Sequence, residues 1–293
     1  MNIKEIPQIQ ERINTLDYLI LTPEYRQFDC SEVFSNISDN NKAFLMPMIK
    51  PLNIYLNCLK DVKRWKNHLY HHNDSPIYDN DYQHTLEMLK ISHSLKKLNI
   101  NSINFDDVEI MILAHDGGEI VTDDMCLYHG SEIDDYVSKI KDLEPRVFTG
   151  CVLRLIKDKD LLSNRAKICR LYKNYNARHE NHFDKESHLV KFIDMLEGDY
   201  FGLKNVYSKK RLNEIFTQDN LPADPDKIIS KTIEKQFSQL EIVFKGIDNQ
   251  SDKQKIFNYF DNNYFKQYNQ PEYSYQHIYE DFLDKKKELF KSL

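Results

Sequence analysis

The chain has 293 residues, of which 41% are hydrophobic and 29% charged, a composition typical of globular rather than disordered proteins. Only 7 residues are glycine, which argues against all-β folds and glycine-rich nucleotide loops and favours a helical protein. The net charge of -6 argues against a broadly basic nucleic-acid binder, so we expect no nucleic-acid partner.

The hydrophobic pattern predicts helices along most of the chain. In chain order these cover residues 53–68, 82–98, 105–120, 132–145, 151–175 and 186–201. Asn104 is a suitable N-cap for the helix at 105–120, and we expect the helix at 186–201 to end near Gly198 or Gly202. Residues 204–293 continue in a helical pattern with an interruption near 221–225. The sequence therefore predicts an all-α protein.

The expected location is cytoplasmic. The longest uncharged apolar runs, such as residues 110–114, are far too short to span a membrane. The first residues include acidic side chains and lack the apolar stretch of a signal peptide. The 5 cysteines form no CxxC pair, which is typical of reduced thiols. We therefore also expect no membrane partner.

Three apolar helical segments each contain a histidine or an aspartate that is expected to be buried. His84 begins a stripe of apolar residues spaced by four and three, whereas His93, nine residues on, is expected to face the opposite way. His115 and Asp116 follow an apolar run, and Asp194 lies in another. Buried ionisable groups cost several kcal/mol unless they are paired or bind a metal. A shared metal site would explain all three segments.

Glu119 is predicted to lie beside this site. It follows Asp116 by three residues and His115 by four, which places it one helical turn further on. Imidazole and carboxylate ligands suit a divalent transition metal and, less well, Mg²⁺. A nearby carboxylate that is not a ligand can handle protons.

These segments, in this order, resemble the HD-domain metal-dependent phosphohydrolase superfamily, and more specifically its 5′-deoxynucleotidase-like branch. The string ILAHDGGEIVTDD (112–124) is similar to the metal-binding motif of that branch, and KRWKNH (63–68) to its upstream Arg-Trp motif. Residues 172–202 resemble the segment that contains the last metal ligand. The resemblance implies an HD-domain helical bundle core at residues 51–203, with an N-terminal helical extension at 1–50 and a C-terminal one at 204–293 packed on the core.

The resemblance also implies roles for single residues. The implied ligands of one divalent ion (Mn, Co, Ni, Fe, Zn or Mg) are His84, His115, Asp116 and Asp194. Glu119 matches the acid that positions or activates the attacking water. Asp124 matches the aspartate of a Gly-Asp pair near the scissile phosphate, and the glycine of that pair is Asp123 here, so Asp123 competes for the role.

Arg64 and Trp65 match the pair that contacts phosphate and sugar. The interval of 20 residues from Arg64 to His84 is longer than the branch leads us to expect. Extra histidines could serve a second metal, and the candidates are His71, His72, His179, His182 and His188. We expect a mononuclear site.

The implied function is hydrolysis of deoxyribonucleoside 5′-monophosphates to deoxynucleoside and phosphate, with a nucleotide as the bound partner. One alternative is an HD phosphohydrolase that acts on a dNTP, a cyclic nucleotide or an alarmone. The other is a non-catalytic metal-binding module that senses a ligand or acts as a scaffold. The resemblance also makes a homodimer an expectation.

Overall fold

The computed structural model describes residues 11–14, 27–64, 80–124, 138–178, 184–205 and 225–266, together with the single positions 284 and 287. Within this part of the chain 78% of the residues are helical and none lies in a strand, which confirms the predicted all-α class. No described helix is both long enough and apolar enough to cross a membrane.

The described helices overlap the predicted ones but differ from them in number and in bounds. They are α1 (Ser31–Ser35), α2 (Asp39–Leu45), α3 (Ile49–Asp61), α4 (Asp81–Lys96), α5 (Phe105–Ala114), α6 (Glu119–Thr122), α7 (Glu144–Gly150), α8 (Leu162–Asn176), α9 (Lys185–Asn205), α10 (Pro225–Lys245) and α11 (Gln250–Asn263). Short 3₁₀ turns cover Met46–Met48, Val152–Leu155 and Lys159–Leu161.

Several predicted helix bounds are wrong. The helix expected at 53–68 spans Ile49–Asp61, and the one expected at 151–175 begins only at Leu162, after the two 3₁₀ turns. The helix expected at 105–120 ends at Ala114, because the His-Asp-Gly-Gly segment turns before α6 begins at Glu119. The helix expected to end near Gly198 or Gly202 continues through both glycines to Asn205. The predicted N-cap is confirmed, since the Asn104 side chain accepts a hydrogen bond from the Asp107 amide at 3.3 Å.

The described chain divides into two compact units. The first unit comprises residues 1–90 and 109–177. An aromatic group from three of its helices forms part of its core: Tyr55, Phe148 and Tyr172 lie with ring centroids 6.5 Å (Tyr55 to Phe148) and 4.0 Å (Phe148 to Tyr172) apart. The hydroxyl group of Tyr55 also donates to the Leu113 carbonyl at 2.6 Å, which fixes α3 against the end of α5.

The second unit comprises residues 91–108 and 178–293. Its phenylalanines form a cluster in which Phe192 of α9 meets Phe260 of α11 at 4.6 Å and Phe237 of α10 stacks on Phe265 at 5.5 Å. Helix α11 begins after Asn249, whose side chain accepts from the amides of Ser251 and Asp252. The three-part division at 1–50, 51–203 and 204–293 and the HD-type core stay predictions.

Candidate metal centre

The turn between α5 and α6 contains the His-Asp pair of the first unit. The Gly117 amide donates to the Ala114 carbonyl at 3.0 Å, and the Glu119 amide donates to the Asp116 carbonyl at 2.9 Å. A Cβ atom at Gly117 would lie 2.3 Å from the Phe148 ring, and one at Gly118 would lie 2.7 Å from Glu144 Cβ. The two glycines therefore allow α7 to pack directly on the turn.

His115 is held with one ring nitrogen bonded and the other available. Its Nδ1 lies 2.7 Å from the Ile112 carbonyl, to which it donates in the tautomer protonated at Nδ1. Its buried Nε2 has no hydrogen-bond partner among the described residues. Asp116 Oδ2 lies 2.9 Å away, but that contact lacks hydrogen-bond geometry. A metal-binding histidine has this arrangement, with a carbonyl that orients the ring from behind.

His84 completes a compact group with His115 and Asp116. It is fully buried on α4, its ring centroid lies 5.3 Å from that of His115, and its Nε2 is 3.8 Å from Asp116 Oδ2. The predicted burial of His84 is confirmed, as is that of Met88, Ile91 and Leu95 on the same stripe, whereas the last residue of the stripe, Leu98, is only half-buried. The first unit therefore places two imidazoles and one carboxylate together.

Asp81 is a site residue that the sequence analysis missed. It begins α4, one turn before His84. Its side chain is fully buried, and neither oxygen is hydrogen-bonded to any residue that the structure describes. One oxygen each from Asp81, Asp116 and Glu119 lie within 4.8 Å of one another. The spacing of three residues between Asp81 and His84 was the available signal, because it places both side chains on one helix face.

Lys141 and Glu144 also lie at this site and were missed. Lys141 Nζ bonds Glu119 Oε1 at 2.7 Å and lies 3.2 Å from Glu144 Oε1, while the Thr122 hydroxyl donates to Glu144 at 3.4 Å. Neither residue stands out in the sequence, because both belong to a charged stretch with no motif.

The charges of these side chains perturb one another strongly. Burial, and then the carboxylates of Glu119, Asp116 and Asp124, raises the pKa of Asp81 well above its usual range, although Arg64 opposes this. Burial likewise raises the pKa of Glu119 well above its usual range, despite Lys141. Burial disfavours the Lys141 ammonium group, but the carboxylates around it outweigh this and raise its pKa. The site therefore gathers buried carboxyl groups whose ionisation is disfavoured where no cation is close to them.

The remaining predicted residues of the first unit are placed as follows. Asp123 pairs with Arg12 at 2.7 Å. Asp124 acts on the cluster, since its charge raises the pKa of Asp81 and Glu119. Arg64 is half-buried and its charge lowers the pKa of Asp81, and Trp65 lies outside the described residues.

Asp194 belongs to the second unit. It lies on α9, and its Oδ2 accepts from Lys191 Nζ at 2.5 Å. Its part in the ligand set stays a prediction from the sequence. His188, also on α9, is buried with its Nδ1 2.7 Å from Gln239 Oε1. The other extra histidines, His71, His72, His179 and His182, lie outside the described residues.

Searches against family models, curated proteins and solved structures each find no match to this chain. The class of site is therefore defined by its residues alone. The group in the first unit fits a divalent cation, because it combines two imidazoles and a carboxylate and leaves the buried Nε2 of His115 without a hydrogen bond.

Proposed function

We propose that this protein is a metal-dependent phosphohydrolase of the HD type that cleaves deoxyribonucleoside 5′-monophosphates. The observation that carries the proposal is the grouping of His84, His115 and Asp116, in which His115 Nε2 is buried and has no hydrogen-bond partner. The sequence resemblance adds Asp194 as the fourth ligand and supplies the substrate class. A bound divalent cation would acidify a water molecule and neutralise charge on the phosphate.

Glu119 is the proposed residue for the attacking water. Its buried carboxylate has a raised pKa, which suits a group that must accept a proton near neutral pH. Lys141, bonded to it at 2.7 Å, holds the side chain in position and keeps a positive charge beside the carboxylate. Asp124 is the proposed partner of the leaving oxygen.

Substrate recognition is assigned to Arg64 and Trp65. Arg64 would contact the phosphate through charge-assisted hydrogen bonds, and its charge already acts on Asp81 in this structure. Trp65 would pack on the sugar and exclude a 2′-hydroxyl group.

The test is metal analysis of the purified protein followed by a screen for phosphate release. Substrates are dNMPs, NMPs and dNTPs, each with Mn²⁺, Co²⁺, Ni²⁺ or Mg²⁺. We expect bound metal and phosphate from dNMPs but not from NMPs. Release of triphosphate from dNTPs would identify dNTPs as the substrate class and leave the proposed metal site unchanged. Bound metal without any turnover would favour the sensing or scaffold alternative.

Two variants sharpen the screen. Asp194→Asn should lower metal content, because the resemblance makes it a ligand, whereas Asp284→Asn, an exposed residue, should leave both metal content and turnover unchanged. Full metal content and full activity in Asp194→Asn would remove Asp194 from the proposed ligand set.

A further inference from the structure

Asp81 is a buried carboxyl group for which the mononuclear site gives no explanation. Its side chain is fully buried, and within the described part of the chain neither carboxylate oxygen has a hydrogen-bond partner. Buried carboxylates are stable when they are paired, hydrogen-bonded or bound to a metal. The sequence resemblance assigns Asp81 no role, so its position at the centre of a charged group needs another cause.

The neighbours of Asp81 are themselves acidic. One oxygen each from Asp81, Asp116 and Glu119 lie within 4.8 Å of one another, which is the spacing of ligands around a single ion. Among the described residues, the two cations that act near Asp81 form no hydrogen bond with it. Lys141 bonds Glu119 and Glu144 instead, and Arg64 acts on Asp81 without a hydrogen bond to either oxygen.

We propose that Asp81, Asp116 and Glu119 bind a second divalent cation, so that the centre is binuclear. The inference rests on the proposed function for the first ion, which His84, His115 and Asp116 would hold. Asp116 has two oxygens and belongs to both groups, so it is the shared ligand. Glu119 is a ligand of the second ion in this arrangement and keeps its bond to Lys141.

The ligand chemistry distinguishes the two ions. The first group contains two imidazoles, which suit transition metals. The second contains only carboxylates, which suit Mg²⁺ or Mn²⁺. We therefore expect a hard cation in the second position. Its ligands are carboxylates and not the extra histidines considered from the sequence.

The experiment uses metal-free full-length protein titrated with Mn²⁺. Equilibrium dialysis with metal analysis gives the number of ions per chain, and electron paramagnetic resonance reports magnetic coupling between two Mn²⁺ ions that share Asp116. We expect two ions in the wild type with a coupled spectrum. In Asp81→Asn we expect one ion with an uncoupled spectrum, or a second ion bound at least about tenfold more weakly.

A matched control and a second variant complete the test. Asp252→Asn makes the same chemical change at another buried aspartate and should keep two coupled ions. Glu119→Gln should weaken binding of the second ion as Asp81→Asn does. The test therefore still decides the question if one of the two variants does not fold.

Each remaining outcome overturns part of the argument. One uncoupled ion in the wild type, unchanged in Asp81→Asn, would refute the second site and leave the proposed function standing, with Asp81 protonated instead. If the wild type binds no ion, both the second site and the proposed function are refuted. Two ions that persist in Asp81→Asn and Glu119→Gln would place the second ion elsewhere.

Discussion

Each unit contains a buried aspartate, and the two are treated in opposite ways. Asp252 in the second unit is 2% exposed, and its Oδ2 accepts from the amides of Asn101 and Ser102 and from the Ser102 hydroxyl at 2.8–3.0 Å. Asp81 in the first unit is 0% exposed and accepts no hydrogen bond at either oxygen. One carboxylate is surrounded by donors and the other by further carboxylates.

The pKa shifts follow this difference. Burial would raise the pKa of Asp252, but the hydrogen bonds from Ser102 and Asn101 and the charge of Lys255 lower it below its usual value. Burial and like charges both raise the pKa of Asp81. A carboxylate that stabilises a fold accepts hydrogen bonds from nearby donors. A buried carboxyl group with like charges around it and a strongly raised pKa is a candidate for a functional site. The comparison therefore favours the first unit as the location of the proposed site.

The largest expected effect comes from the histidines of the two units. His115→Ala should abolish metal binding and lower phosphohydrolase activity by about 10³-fold or more, roughly 4 kcal/mol of transition-state stabilisation. His188→Ala removes an equally buried imidazole from the second unit and should keep metal content per folded chain. Metal analysis and the phosphate-release assay measure both. Loss of metal in His188→Ala would identify His188 as a ligand, and the difference between the two units in metal binding would then not hold.

Within the first unit, the close-packed Gly117 should be more sensitive to added side-chain volume than the open Gly150. In Gly117→Ala the new Cβ would meet the Phe148 ring at 2.3 Å and the Tyr55 hydroxyl at 2.9 Å. Phe148 is itself packed on Tyr172 with ring centroids 4.0 Å apart, so it has little room to move. We expect the free energy of unfolding to fall by about 2–3 kcal/mol.

Gly150→Ala is the matched control, because a Cβ there meets no atom within 4 Å at the end of α7. It should leave stability unchanged or raise it by up to about 1 kcal/mol. Urea unfolding curves compare the two variants. Equal stability of both would mean that the turn does not depend on the close approach of α7.

The sequence predicted these features unequally. The helical class and the burial of His84 follow from periodicity, and His115, Asp116 and Glu119 follow from their spacing. Asp81 and Lys141 were missed because their importance lies in neighbours 35 or 22 residues away in the sequence, Asp116 and Glu119 respectively. The early end of α5 was missed because the packing of α7 on Gly117 and Gly118 is a tertiary contact that local helix propensity does not contain.

The two aspartates should respond to pH with opposite signs. The pKa of Asp252 is lowered in the folded state, so its contribution is complete above the unfolded value of about 3.9 and is lost as pH falls through the folded pKa. Asp252→Asn should therefore lower the free energy of unfolding at pH 7 by about 1–2 kcal/mol and reduce its decline in acid. Urea unfolding from pH 7 down to pH 3 measures this.

Asp81→Asn in metal-free protein should change stability in the opposite direction to Asp252→Asn. The pKa of Asp81 is raised, so its charge opposes folding at neutral pH, and this penalty shrinks as pH falls from the folded towards the unfolded pKa. The variant should be more stable than the wild type at pH 7, by about 1–2 kcal/mol, with no advantage in acid. A loss of stability at pH 7 would show that Asp81 is satisfied in the folded state, and the contrast with Asp252 would fail.

The smallest expected effect concerns the backbone at the edge of the site. Asp123 has φ 69° and ψ 159°, a region that glycine adopts readily, and the resemblance has glycine at this position. In the second unit Asn99 has φ 53°, which asparagine tolerates. Asp123→Gly should relieve strain but lose the ion pair with Arg12, so stability should change by less than about 1 kcal/mol. Asp123→Ala keeps the strain, loses the pair and should be the less stable of the two by about 1 kcal/mol in thermal unfolding. Equal stability of the glycine and alanine variants would mean that the strain at Asp123 is negligible, and the edge of the site would then be no more constrained than the turn at Asn99.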